Sequence, residues 1–165
     1  MKFLRTVLIL ALFLCGIAFS GCGGANENAN QPSAGNSGTN VDNANSAKTN
    51  VEELQLLVNV PFEAEDVVWK ENPKLRQVIA VLRFSPEDSN KLVAEAAVRQ
   101  APQEVKLSSE TWFPAELIAQ SEMTGDDMLN GLAYAADSFY QEPYTSGRVV
   151  RIEGTDYFIL ELSAK

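Results

Sequence analysis

Two groupings of carboxylates are spaced closely enough to suggest chemistry in this chain. Glu63, Glu65 and Asp66 form the densest acidic cluster of the candidate folded region. Carboxylate oxygens suit a hard cation such as Ca²⁺, but the cluster lacks the alternating ligand spacing of a calcium loop, and a solvated charged loop is the simpler reading. Asp126 and Asp127 follow Gly125. A carboxylate pair could do acid/base work on a glycan. Adjacent helix positions do not face one another, however, and at a helix start both residues already have a structural role. A serine activated by lysine would need no imidazole. Ser85, Ser108, Ser109, Lys91 and Lys106 are available, yet no Ser-x-x-Lys spacing selects a pair, since Ser85 lies six positions from Lys91. With no histidine in the chain, Ser-His-Asp triads, Cys-His dyads and Cys/His zinc sites are excluded. No catalytic residue, metal or cofactor is assigned.

Aromatic side chains give the better lead, among them Trp69, Trp112, Phe113, Tyr134, Phe139, Tyr140 and Tyr144. Trp112 and Phe113 place two large rings on opposite faces of a strand end, so in a sheet with one covered side one ring should stay exposed. Beside Tyr140-Gln141-Glu142-Pro143-Tyr144 such a ring could stack on a sugar or anchor a protein. Trp112, Phe113, Tyr140 and Tyr144 therefore form the candidate binding surface. Burial of both rings under the following helix is the structural alternative.

These residues need elements to hold them. Residues 77–84 read as the strongest strand, with Val78, Ala80, Leu82 and Phe84 on one side and Ile79 and Val81 on the other, hence covered on both sides. Ser85 as N-cap, Pro86 at the first helical position and Glu87 and Asp88 near the positive end of the dipole then start a helix reaching about Arg99. Residues 104–111 alternate as a half-exposed strand, and Pro114 opens a helix to about Glu122. A third helix is expected over residues 125–140, on the apolar stripe of Met128, Leu129, Leu132, Ala135, Ala136 and Phe139, with Gly131 weakening it by about 1 kcal/mol. Residues 51–62 carry both helical and alternating spacings and are read as extended, ending at Pro61-Phe62; Val67-Val68-Trp69 is a short strand ended by Asn72-Pro73. Arg148, Val150 and Ile152 with Phe158, Leu160 and Leu162 flank a turn at 153–156 and make a terminal hairpin. The fold expected is α+β: a single small domain with a mostly antiparallel sheet, two or three helices packed on one face, and a C-terminal β-hairpin.

The amino-terminal residues supply the one resemblance. Lys2 and Arg5 precede an apolar run over residues 7–19, and Phe19-Ser20-Gly21-Cys22 is a small-residue cleavage site ending on cysteine. This run is shorter than the roughly 18 residues a permanent membrane helix needs. The segment resembles the signal peptide and lipobox of bacterial lipoproteins, with Phe19 standing where Leu is most frequent. The resemblance covers the first 24 residues and implies that residues 1–21 are removed, that Cys22 takes a diacylglycerol on its thiol, and that the new amino terminus is N-acylated. Gly23 after the cysteine is what that family associates with sorting to the outer membrane in diderm bacteria.

Without residues 1–21 the chain keeps 11 basic against 22 acidic residues, a net charge of −11. Such a balance argues against nucleic acid as a partner. Residues 23–50 hold eight Asn among Ala, Gly, Ser and Thr, too little apolar surface to offset ordering entropy, and should form a flexible tether spanning on the order of 30 Å. The expected organisation is a signal peptide over 1–21, a lipidated cysteine and tether over 22–50, and a folded domain over 51–165. Cys15 leaves with the signal, so that domain has no thiol. The expected role is a lipid-anchored, non-enzymatic binding module of the cell envelope, meeting the membrane through its anchor and an envelope protein or glycan through its aromatic surface. The alternative is a carboxylate-dependent hydrolase acting on envelope polysaccharide.

Overall fold

The computed structural model describes residues 46–165, so the expected signal segment, Cys22 and most of the Asn-rich stretch lie outside the described residues. In chain order the elements are α1 (Val51–Gln55), β1 (Ala64–Asn72), β2 (Gln77–Phe84), α2 (Pro86–Arg99), β3 (Gln103–Ser108), α3 (Ala115–Thr124), β4 (Met128–Ala135), a 3₁₀ turn (Asp137–Phe139), β5 (Tyr144–Ile152) and β6 (Tyr157–Ala164). The six strands form one antiparallel sheet of order β1-β2-β6-β5-β4-β3. The fold is α+β and closes with the expected hairpin, β5 to β6.

β2 and β6 carry the core because both alternate sets of their side chains are apolar. Val78, Ala80, Leu82 and Phe84 join Phe158, Leu160 and Leu162 on a first face, while Val81 joins Tyr157 and Ile159 on the second. Each fully buried large aliphatic or Phe side chain contributes about 1.5–3 kcal/mol. These two strands accordingly sit inside the sheet, and the more polar β1 and β3 take its edges. α1 and α2 share the first face, burying Leu54, Leu92 and Ala96 there. α3 lies on the second face, so the helices cover both sides of the sheet and not one as expected; there Leu117 and the preceding Phe113 cover Leu129, Val150 and Ile152.

Local chemistry sets the start of α2 as read from the sequence. The Asp88 backbone N–H donates to Ser85 Oγ at 3.1 Å, and Pro86 occupies the first turn. Arg99 closes the helix and reaches Asp137 at 3.6 Å, a cation at the negative end of the dipole.

Three local readings are corrected. Residues 125–140 contain no α-helix: residues 128–135 form strand β4, hydrogen-bonded between β3 and β5. Gly131 explains the choice, since a Cβ there would lie 2.6 Å from the Arg151 carbonyl oxygen across the pair. Residues 51–55 are helical rather than extended, because Asn50 caps the turn by accepting from Glu53 N–H at 3.1 Å and Leu54 and Val58 both enter the core. β3 stops at Ser108, and Trp112 and Phe113 follow in a turn closed by Phe113 N–H to the Glu110 carbonyl at 2.9 Å. Their rings stack edge to face, with centroids 4.7 Å apart, and both belong to the second face.

Residues before Val51 also join the fold. Lys48 forms a two-way backbone bridge with Trp69 on edge strand β1, both bonds 2.8 Å, and the Trp69 indole N–H donates to the Asn50 carbonyl at 3.0 Å. A strand edge is thereby partly covered.

Candidate functional site

The second face is unevenly covered, and its β1-β2 end leaves a groove of about 750 Å³. Its floor comes from the register: Lys70 and Ile79 are cross-strand partners, so both point to the second face beside Trp112. Lys70 Nζ lies 5.1 Å from the centre of the Trp112 ring, a cation–π distance. The Trp112 indole N–H donates to Glu110, which fixes the ring's tilt. At the far rim the β1-β2 turn is wound by Asn72, whose Oδ1 accepts from Leu75 N–H at 3.1 Å. The turn leaves Leu75 63% exposed beside Lys74. A half-buried Trp, an Ile floor and an exposed Leu, lined also by Lys70, Lys74, Glu71 and Glu110, make an amphipathic surface that can take up apolar side chains.

Only Trp112 of the four proposed binding residues opens on this groove. Phe113 is buried beneath it. Tyr140 and Tyr144 pack with the first face, on the other side of the sheet, so the four do not converge. The Tyr140 hydroxyl donates to the Gly147 carbonyl at 3.2 Å, and its pKa is raised by burial and by nearby Asp137. The Tyr144 hydroxyl donates to Glu71 Oε1 at 2.6 Å; burial, reinforced by this carboxylate, pushes its pKa up to about 12. Neither tyrosine lines the groove, although Glu71, the acceptor for the Tyr144 hydroxyl, does. Lys70, Leu75 and Ile79 complete the surface without having been singled out in the sequence. Asn72-Pro73 marked the turn that exposes Leu75, but no local signal told which strand would lie beside Trp112.

Asp126, Glu65, Asp66 and the three serines considered for chemistry each have a structural partner. Asp126 accepts from the Thr124 hydroxyl at 2.7 Å, from Met128 N–H at 3.2 Å and from Lys106 at 3.2 Å. The Thr124 bond first and Lys106 next hold its carboxyl below the usual range. Asp127 takes a left-handed backbone, φ 54°, in the same turn, and its carbonyl accepts from Ser109 N–H at 3.1 Å. Glu65 lies 3.7 Å from Arg83, and Asp66 accepts from the Tyr157 hydroxyl at 3.4 Å. Lys91 pairs with Glu87 at 2.8 Å and with Asp88 at 3.4 Å; the Glu87 hydrogen bond leads in raising its pKa. Ser85 bonds Asp88, Ser109 lies 2.8 Å from Ser121 Oγ, and Ser108 faces Met128 sulfur, so none of these three serines meets a lysine. Among the described residues no group of three or more acidic or sulfur side chains is placed to hold a metal ion.

Comparison of the chain with protein-family models, with curated proteins and with solved structures found no match.

Proposed function

We propose that the protein is a lipid-anchored lipoprotein of the cell envelope whose folded domain is a non-enzymatic binding module, with a protein partner seated in the Trp112 groove. The supporting observation is the groove itself, lined by Trp112, Ile79 and exposed Leu75 together with Lys74 and with Lys70, whose ammonium lies over the Trp112 ring. Aromatic anchors of this kind dominate protein interfaces. One edge of the Trp112 ring meets Phe113 and Lys70 sits over it, which favours a protein side chain over flat stacking on a sugar. The anchor follows from the lipobox-like run ending at Cys22, which would hold the domain near its partner at the membrane. The lipid on Cys22 is then the only covalent group required.

Photo-crosslinking in intact cells tests this reading. Benzoylphenylalanine at Leu75 should trap a discrete envelope protein, and the same probe at Val98, 88% exposed on α2 across the sheet, should not. Replacing Trp112 by Ala should cut the Leu75 adduct severalfold. An absent adduct at Leu75, or equal adducts at both positions, would defeat the proposal.

A further inference from the structure

A second groove, of about 830 Å³, lies on the first face at the opposite end of the sheet, over β3, β4 and β5. It is independent of the Trp112 groove. Strand register aligns Glu104, Leu132 and Arg151 in one row and Lys106 with Asn130 in the next, where Glu153 N–H bonds the Asn130 carbonyl at 3.0 Å. Tyr134 lies one row further along β4 and also lines the groove.

The cations in this groove are already engaged. Arg151 donates to the Thr155 carbonyl at 3.2 Å, to Asn90 at 3.4 Å and to Asp156 at 3.0 Å. Lys106 is held by Asp126 at 3.2 Å. Glu104 and Glu153 have no cationic partner among the described residues, which leaves two uncompensated negative charges. Tyr134 is only 5% exposed, yet its hydroxyl has no hydrogen bond within the described residues and is not among the sealed-off polar atoms. Buried hydroxyls ordinarily find a partner. Tyr134 lines the groove, so a ligand there can supply this hydroxyl with a partner.

We propose that this groove binds a linear aliphatic polyamine. Strand spacing near 4.8 Å and a rise near 3.3 Å per residue put the Cα atoms of Glu104 and Glu153 on the order of 12 Å apart, diagonally across β4. Leu132, 38% exposed, lies between them. One terminal ammonium is taken by Glu104 with the Tyr134 hydroxyl accepting and the other by Glu153 with Asn130 Oδ1; the methylenes between lie on Leu132, and the central ammonium turns to the water of the open groove. Extended spermidine matches this span, and putrescine falls well short of it. No bond is made or broken.

Calorimetric titration of the full-length protein in a non-ionic detergent with spermidine tests the assignment. Glu104→Gln with Glu153→Gln should weaken spermidine about tenfold, the loss expected for two charge-assisted contacts in an open groove. Tyr134→Phe should weaken it about threefold. Glu122→Gln, which removes an exposed charge on α3, should change nothing, and putrescine should bind less tightly than spermidine. Amide shifts in the unsubstituted protein should cluster at Gly131, Leu132 and Thr155, a readout that does not depend on a variant folding. The proposal is overturned if spermidine causes no shifts there, if the double variant binds it unchanged, or if Glu122→Gln weakens it equally. It is likewise overturned if putrescine binds as tightly, or if a capped lysine tripeptide of the same charge binds more tightly, which would point to a protein ligand.

Discussion

Replacing Tyr144 by Phe removes one hydroxyl and should change how the fold responds to alkali. That hydroxyl is 2.6 Å from Glu71 Oε1 on a residue 4% exposed, and it titrates near 12 in the fold against about 10 in an open chain. A phenol with the higher value when folded holds its proton more tightly in that state. Its contribution is therefore complete below pH 10 and falls away as pH rises toward 12. Two pKa units correspond to about 2.7 kcal/mol, of which about 1.4 should be gone by about pH 11. At neutral pH the variant leaves the Glu71 carboxylate without its donor, costing about 1.5 kcal/mol. Urea denaturation of both proteins in steps from neutral to strongly alkaline pH reads the difference. The native protein should start more stable and lose its advantage between pH 10 and 12, while Tyr144→Phe follows a shallower course; Tyr140 and Tyr157, whose pKa values burial also raises, are common to both and cancel. Parallel curves throughout would show that ionisation of Tyr144 does not govern the alkaline response.

Two substitutions test the frame that holds the grooves. Gly147 has φ +144° and a Cβ there would lie 2.0 Å from the Glu161 carbonyl oxygen, so Gly147→Ala should cost about 3 kcal/mol or more in urea denaturation; a change below about 1 kcal/mol would mean the β5-β6 contact is not this tight. Ser85→Ala removes the acceptor for Asp88 N–H and should cost about 1 kcal/mol by the same measurement, whereas an unchanged midpoint would deny the cap.

How much of this was legible in the sequence depended on whether a residue's neighbours in space were also its neighbours in the chain. Ser85-Pro86 and Pro114 announced their helices because a cap is settled within one turn. β2 and the terminal hairpin were readable because doubly apolar alternation has few other uses. β4 was not: Met128, Leu129, Leu132 and Ala135 satisfy a helical stripe as well as a strand, and the decision came from β3 and β5 closing on Gly131. The same limit applies to the candidate surface. Trp112 was identifiable as an anchor from its type, but its companions Lys70, Leu75 and Ile79 come from the β1-β2 hairpin, separated from it in the chain by α2 and β3. Tyr140 and Tyr144 were grouped with it by composition, and the sheet lies between them and it.

Intact-mass spectrometry of the protein extracted from membranes tests the anchoring on which the proposed role rests. The account predicts a mature chain beginning at Cys22 with the mass of a diacylglyceryl group and an N-linked acyl chain, and no membrane-bound product from Cys22→Ala. A chain that still begins at Met1, or one cleaved elsewhere without lipid, would contradict it.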